Sequence, residues 1–205
     1  VTAVTRVAAV LLAAGSSERF GSENKLLTEI GGEPLLRLVT RVVIEARPSE
    51  TIVVTGHEAE RCRGVLEGLA VRFVHNAAWR QGMGTSIAAG VGALGDEFDG
   101  AFIVPSDMPY LTSALFTRLR AAFDESRGRA IVFPVTTAGE QRNPVLWPRA
   151  HFSELRALVG ATGAKALLRE YAAQSLGVPL TSDEEATDID TPVDLAAVCD
   201  QQRAR

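Results

Sequence analysis

Four short stretches of this chain concentrate residue types that can hold phosphate and a hard metal ion. The first, Val7 to Leu27, starts as an apolar run, stops at Gly15, passes through Ser16 and Ser17 and delivers two cations, Arg19 and Lys25. Where side chains are small, backbone N–H groups can approach an anion closely, and the cations add charge, so this loop suits a polyphosphate. Two commoner phosphate loops are excluded by spacing. Gly15 and Gly21 are six residues apart and Gly21 is followed by Ser22 rather than lysine, and no G-x-G-x-x-G follows the run.

The second stretch is AFIVPSDMP, Ala101 to Pro109, where an apolar run ends in a carboxylate, Asp107, set between Pro105 and Pro109. Magnesium takes oxygen ligands and keeps several waters, so one or two carboxylates plus substrate phosphates suffice to bind it. Asp107 as a helix cap is the weaker reading, because Thr112 is itself a good N-cap. The third stretch, ATDIDTP, carries Asp188 and Asp190 on either side of Ile189. If the segment is extended, the two carboxylates point to opposite faces, so one of them, with Asp190 preferred, joins the metal. The fourth runs from His75 and Asn76 through Gly82 and Gly84 to Thr85 and Ser86. Its glycines would let a flat base lie against backbone, with Thr85 or Ser86 as hydrogen-bonding partners. His75 reads as a strand end rather than a catalyst.

These stretches need a scaffold that brings them to one edge. Apolar, β-branched runs at Val7–Ala13, Thr51–Thr55, Val71–His75, Ala101–Pro105 and Ala130–Val135 read as strands covered on both faces. Between the first two, Leu35, Leu38, Val39, Val42, Val43 and Ala46 form one face of an amphipathic helix, with Pro34 in its first turn. Alternating strands and helices predict an α/β fold with a mostly parallel sheet and right-handed crossovers. The rhythm changes after Val135. A turn over Thr136–Gln141, a short returning strand over Pro144–Trp147 and a strand at Val178–Leu180 predict one or two non-parallel strands in the second half. Thr191 and Pro192 read as the N-cap and first residue of a last helix. In such a sheet ligands bind at the carboxyl ends of the strands, where Gly15, Asn76 and Asp107 all fall. Tight helix–sheet packing is the better reading for Gly90 and Gly92.

With 205 residues, 46% of them hydrophobic and 22% charged, the chain reads as one domain with a substantial core. A net charge of −4 without runs of like charge argues against nucleic acid as a partner. Cys62 and Cys199 are far apart in sequence and read as reduced thiols. The first apolar run has no lysine-rich start and, at about eight residues, falls well short of the ~20 that span a bilayer. The expectation is a cytoplasmic protein with no membrane partner.

Taken together, the stretches resemble the nucleotidyltransferases of molybdenum cofactor maturation, and most closely the molybdenum cofactor cytidylyltransferase branch. The resemblance rests on LAAGSSERFG and NKLL (Leu12 to Leu27), NAAWRQGMGTSIAAG (Asn76 to Gly90), VPSDMPYL (Val104 to Leu111), RNPVLWPRAHFSELRAL with the following TGAKALL (from Arg142), and DIDTPVDL (Asp188 to Leu195). It implies a Rossmann-like three-layer sandwich of the nucleotide-diphospho-sugar transferase type. It also implies transfer of a nucleoside monophosphate from an NTP to the phosphate of molybdopterin, with release of pyrophosphate. Leu12, Ala13, Ala14, Gly15, Ser16 and Ser17 would line the nucleotide, with Asn76, Gly82, Thr85 and Ser86 near the base. Arg19 and Lys25 would lie on the phosphates, Asp107 with Asp190 or Asp188 on Mg2+, and Arg142 and Asn143 near the acceptor. Ala14 stands where the guanylyltransferase branch carries glycine, which favours CTP. Phe20 replaces the usual methionine, and Arg142-Asn143 replaces a common Gly-His, a change that bears on the acceptor rather than on the chemistry.

An acceptor phosphate is already ionised at neutral pH, so the reaction needs no general base, in keeping with a set of candidate residues that offers no serine or histidine nucleophile. Two other readings stay open at this point. One is a guanylyl- or adenylyltransferase acting on molybdopterin or another small phosphorylated acceptor. The other is a non-catalytic chaperone that carries molybdopterin to a molybdoenzyme.

Overall fold

A computed structural model describes residues 5–17, 20 and 24–203. Its centre is a seven-stranded sheet in the order β5-β4-β1-β6-β8-β7-β9. These strands are β1 (Val7–Ala13), β4 (Glu50–Thr55), β5 (Arg72–His75), β6 (Gly100–Pro105), β7 (Ile131–Val135), β8 (Val145–Pro148) and β9 (Ser175–Pro179). β1 pairs in parallel with β4 and β6, β4 with β5, and β7 with β9. β8 runs antiparallel to both of its neighbours, β6 and β7. The sheet therefore holds six strands in one direction and one against them. Its returning strand is inserted between β6 and β7 rather than added at an edge.

Alternation along β1 explains the layers. Val7, Ala9, Leu11 and Ala13 enter one core and Ala8 and Val10 the other, all fully buried. The first core is closed by α1 (Leu35–Glu45) and α4 (Ser113–Glu125), through Leu35, Leu36, Val39, Leu115, Phe116 and Phe123. The second is closed by α3 (Met83–Gly92) and α5 (Phe152–Arg156), through Ile87, Val91, Phe152 and Leu155. The result is the three-layer, Rossmann-like arrangement expected of the sequence. Among the described residues no helix is long and apolar enough to cross a membrane.

Three local expectations shift. Pro34 lies just before α1, as the last residue of a small hairpin formed by β2 (Glu29–Ile30) and β3 (Glu33–Pro34). This hairpin turns through Gly31 and Gly32 at φ of 63° and 85°, values that favour glycine at both positions. The small residues from Ser86 to Leu94 read in the sequence as a helix, whereas α3 begins at Met83 and ends at Gly92. A Cβ on Gly90 would come within 2.3 Å of the Val10 side chain, so that glycine does serve close helix–sheet contact; Gly92 faces open space and does not. Cys62 is fully buried, which pushes its thiol pKa up to about 11 and makes it a packing residue.

Two remaining helices are α2 (Ala59–Val65) and α6 (Lys165–Glu170), and the chain ends in α7 (Pro192–Arg203), begun as expected at Pro192. The segment leading to α7 is pinned to α4 by Glu185. Its carboxylate accepts from Arg118 Nη2 at 2.9 Å, Thr112 Oγ1 at 3.1 Å and the Thr181 amide at 3.1 Å. Burial raises the pKa of this carboxyl, but the three donors outweigh it and hold it below the ordinary value. A depressed folded pKa contributes stability above the unfolded pKa and loses it as the pH falls through the folded one. Glu185→Ala should therefore lower unfolding free energy at pH 7 by about 2 kcal/mol, the scale of hydrogen bonds to a charged group. In denaturant melts the gap between the two proteins should narrow as the pH falls below 4.5, the ordinary value for this carboxyl.

Candidate active site

The carboxyl ends of β1, β4, β5 and β6 form one edge of the sheet, and the segments singled out in the sequence gather there. The loop after β1 is shaped by its own polar contacts. Ser17 sits at φ 55°, its carbonyl accepts from the Phe20 amide at 2.7 Å, and its hydroxyl accepts from the Lys25 amide at 3.3 Å. Asn24 then caps a single 3-10 turn, Lys25–Leu27, by accepting from the Leu26 amide at 3.1 Å, and Leu26 is buried beneath it. Gly15 is exposed, with open space where a Cβ would stand, so its backbone is accessible. Leu12 and Ala13 belong to the end of β1, where Ala13 pairs with Thr55. Arg19 lies outside the described residues.

The turn aims Lys25 across the edge. Its Nζ lies 2.6 Å from Asp107 Oδ2 and 3.7 Å from Asp190 Oδ1, and it donates to the Ile189 carbonyl at 2.7 Å. Three segments far apart in sequence thus meet at one ammonium. The backbone repeats the link, because the Ile189 amide donates to the Asp107 carbonyl at 2.9 Å. Ile189 is fully buried, which anchors the acidic turn. A reciprocal cap holds the far end of that turn: Asp194 accepts from the Asp190 and Thr191 amides at 3.1 and 2.7 Å, and the Thr191 hydroxyl accepts from the Asp194 amide at 3.3 Å. Asp194 was not singled out in the sequence, although T-x-x-D before a helix is its signature.

Burial pushes the Asp107 carboxyl above its usual pKa, the Lys25 ammonium opposes this, and the nearby charge of Asp188 adds to the rise. Asp188 thus lies within electrostatic reach of Asp107, although it is exposed while Asp190 is half-buried. Asp107 Oδ1 is buried and has no hydrogen-bonding partner among the described residues. Among the described residues no cluster of three or more His, Cys, Asp or Glu forms a closed metal cage. The unpartnered oxygen beside further carboxylates fits instead an ion that draws the rest of its shell from phosphate and water.

The turn expected near the base is built differently from that expectation. Asn76 is buried and fully engaged: its amide donates to Thr85 Oγ1 at 2.9 Å and Ser86 Oγ at 3.0 Å, and its carbonyl accepts from the Ala78 amide at 3.0 Å. Asn76, Thr85 and Ser86 therefore brace the turn. Gly82 and Gly84 do make room for backbone, but that space holds residues 159–161 rather than a base. A Cβ on Gly82 would stand 2.6 Å from Ala161 Cα, and one on Gly84 would stand 2.8 Å from the Val159 carbonyl. The Gly84 amide donates to the Gly160 carbonyl at 2.9 Å.

Beside this turn lies a shelf absent from the sequence reading. Trp79 carries the Arg80 guanidinium 4.3 Å from its ring centroid and the His57 ring at 5.1 Å. The His57 amide donates to the Ala14 carbonyl at 3.1 Å. The Ala14 methyl is buried and packs towards Gly56, where a Cβ would come within 2.9 Å of it. Ala14 thus meets the protein with its side chain. The signal for the shelf is a histidine directly after Gly56, the residue that follows β4.

The Arg142–Asn143 pair lies in the β7–β8 connection. The pairing of β6 with β8 matches Ile103 with Val145, so the connection enters β8 near the carboxyl end of β6, and the Arg142 amide donates to the Pro134 carbonyl of β7 at 2.9 Å. Asn143 is exposed and precedes a cis proline, while Arg142 is paired with Glu140 at 2.5 Å. His75 is an exposed strand end, as read from the sequence.

Comparison with known proteins agrees with this geometry. Residues 9–176 match the model of the MobA-like NTP transferase domain. The bifunctional protein GlmU of Koribacter versatilis is 34% identical over 118 residues, covering 57% of this chain and 25% of that protein. The chain thus spans about a quarter of the length of the curated relatives it matches. The crystal structure of a Mycobacterium sp. strain JC1 homolog of Mycobacterium tuberculosis Rv0371c superposes with a TM-score of 0.84 at 23% identity, over 98% of both chains. Molybdopterin-guanine dinucleotide biosynthesis protein A from Archaeoglobus fulgidus does so with 0.67 at 17% identity, over 97% of this chain and all of that one. With an NTP-transferase model matched over most of its length and the fold that goes with it, the chain belongs to the MobA-like NTP transferase family.

Proposed function

We propose that this protein transfers a nucleoside monophosphate from an NTP, with CTP favoured, to the phosphate of a molybdopterin-type cofactor in the presence of Mg2+, releasing pyrophosphate. The observation that carries this reading is the meeting of Lys25, Asp107 and Asp190 at the carboxyl edge of the sheet, with the accessible backbone of Gly15 in the same loop as Lys25. The likeness to a protein described as acting in molybdopterin-guanine dinucleotide biosynthesis supports the acceptor class. The likeness of Ala13-Ala14-Gly15 to the cytidine-using branch supports CTP.

In this reading the backbone of Gly15, Ser16 and Ser17 receives the triphosphate, and Lys25, with Arg19, neutralises its oxygens. Asp107 holds the metal through its unpartnered Oδ1. Asp190, nearer to Lys25, is the better second carboxylate, and Asp188 sets the surrounding negative field. A bound Mg2+ supplies charge neutralisation at the phosphate oxygens. Asn143 and Arg142, in the connection that enters β8 near the carboxyl end of β6, face the acceptor. The attacking group is an acceptor phosphate that is already ionised, so the protein's work is to align two polyanions and screen their repulsion.

Removing a major electrostatic stabiliser costs at least ~100-fold in turnover, and Asp107→Ala should lose that much in a pyrophosphate-release assay with Mg2+. Near-normal turnover of that variant would take Asp107 out of the mechanism. The substrate reading is checked by incubating the protein with Mg2+, molybdopterin and each of the four NTPs. Pyrophosphate should appear with CTP. Release with GTP or ATP in its place would move the protein to another branch, and tight binding of molybdopterin with no release from any NTP would make it a carrier.

A further inference from the structure

The Lys25 ammonium is surrounded by the kind of oxygen shell that a hard cation takes. Asp107 Oδ2 lies at 2.6 Å, the Ile189 carbonyl at 2.7 Å and Asp190 Oδ1 at 3.7 Å. Divalent hard ions choose this same mixture of carboxylate and carbonyl oxygens. The lysine side chain is largely buried, so its charge is poorly screened where it sits. With Lys25 in place the two carboxylates and the ammonium sum to one negative charge, and without it they sum to two. The remaining buried oxygen, Asp107 Oδ1, has no partner among the described residues. A metal approaching it meets the ammonium already bound to the other oxygen of the same carboxylate.

We infer that Lys25 is the stand-in cation of the nucleotide-free protein: it keeps divalent metal off Asp107 until a triphosphate draws the ammonium away, so that metal and nucleotide enter together. This rests on the reading of Asp107 as a metal-holding carboxylate. The exchange needs no change in total pairing. The ammonium leaves carboxylate for phosphate, and the metal takes the carboxylate and the remaining phosphate oxygens. It gives Lys25 a positioning role in the free protein in addition to its place on the phosphates, and it ties metal affinity to the presence of substrate.

Mn2+ alone is the probe, with free Mn2+ read by electron paramagnetic resonance and no nucleotide or acceptor present. Lys25→Gln should bind Mn2+ at least ~10-fold more tightly than the wild type, the order expected when a unit charge a few ångströms away is removed. Lys25→Arg, which keeps the charge, should bind as weakly as the wild type. Equal or weaker binding by Lys25→Gln overturns the inference. Adding Asp107→Asn to Lys25→Gln should abolish the gain. If the gain survives, Asp107 is not the ligand and both readings fall. If wild type and Lys25→Gln bind alike and Asp107→Asn alone loses the ion, Asp107 stands and only the role of Lys25 falls.

A measurement on the wild type covers the case in which Lys25→Gln does not fold. Mn2+ alone should move its melting temperature by less than about 1 °C, because an ion that binds weakly stabilises little. Mn2+ added to a non-hydrolysable CTP analogue should raise the melting temperature well beyond the analogue alone. A rise with Mn2+ alone that matches the rise with both overturns the inference.

Discussion

The site depends on one buried ammonium and the oxygens that hold it. Lys25 comes from the loop after β1, Asp107 from the end of β6, and Ile189 and Asp190 from a turn near the end of the chain. A buried carboxylate left alone would be costly, and so would a buried ammonium. Each makes the other's position tolerable, and removing one partner leaves an uncompensated charge. The same pairing joins the three walls of the site, because it ties the first loop both to the end of β6 and to the acidic turn. The charge of the candidate site and its structural closure are in this sense a single arrangement.

The rest of the molecule serves to deliver those groups to one edge. β1 lies between β4 and β6 at the centre of the sheet, so the first loop emerges with the ends of parallel strands on both sides. The antiparallel β8 has a different use. By running back beside β6 it starts near the edge at which β6 ends, and the connection that carries Arg142 and Asn143 leads into that start. A parallel strand in that place would have brought its trailing residues there instead. The acidic turn needs more support, since it belongs to no strand. Glu185 ties its approach to α4, Ile189 anchors its middle, and Asp194 caps its exit into α7.

β1, β4, β5, β6 and β7 are legible in the sequence because parallel strands write themselves as short, unbroken apolar runs, whereas the β2–β3 hairpin, two residues to a strand, leaves no such run. Legible too are Lys25, Asp107 and the acidic turn, whose residue types have few other reasons to follow such runs. What the sequence could not disclose is which surface fills the space beside a glycine. Gly82 and Gly84 have the composition of a ligand platform and serve as a seat for residues 159–161, distant in sequence. Asn76, Thr85 and Ser86 have the groups to read a base and spend them on one another. Ala14 has the position to line a nucleotide, and its methyl packs towards Gly56. In each case a small or polar residue has two possible partners, chain or ligand, and only the tertiary contact decides between them. The shelf of His57, Trp79 and Arg80 escaped notice for the same reason, since its members come from different loops.

We propose that triphosphate and metal meet beside Lys25 and Asp107, at the carboxyl edge of the sheet. The most direct test is a crystal structure of the protein with Mn2+ and a non-hydrolysable CTP analogue, with the ion located by its anomalous scattering. The account predicts an anomalous peak against the Asp107 carboxylate, with the triphosphate over Gly15 and the Lys25 ammonium moved onto its oxygens. A nucleotide bound elsewhere, or one bound with Lys25 still clasped to Asp107 and no ion beside it, would contradict the account.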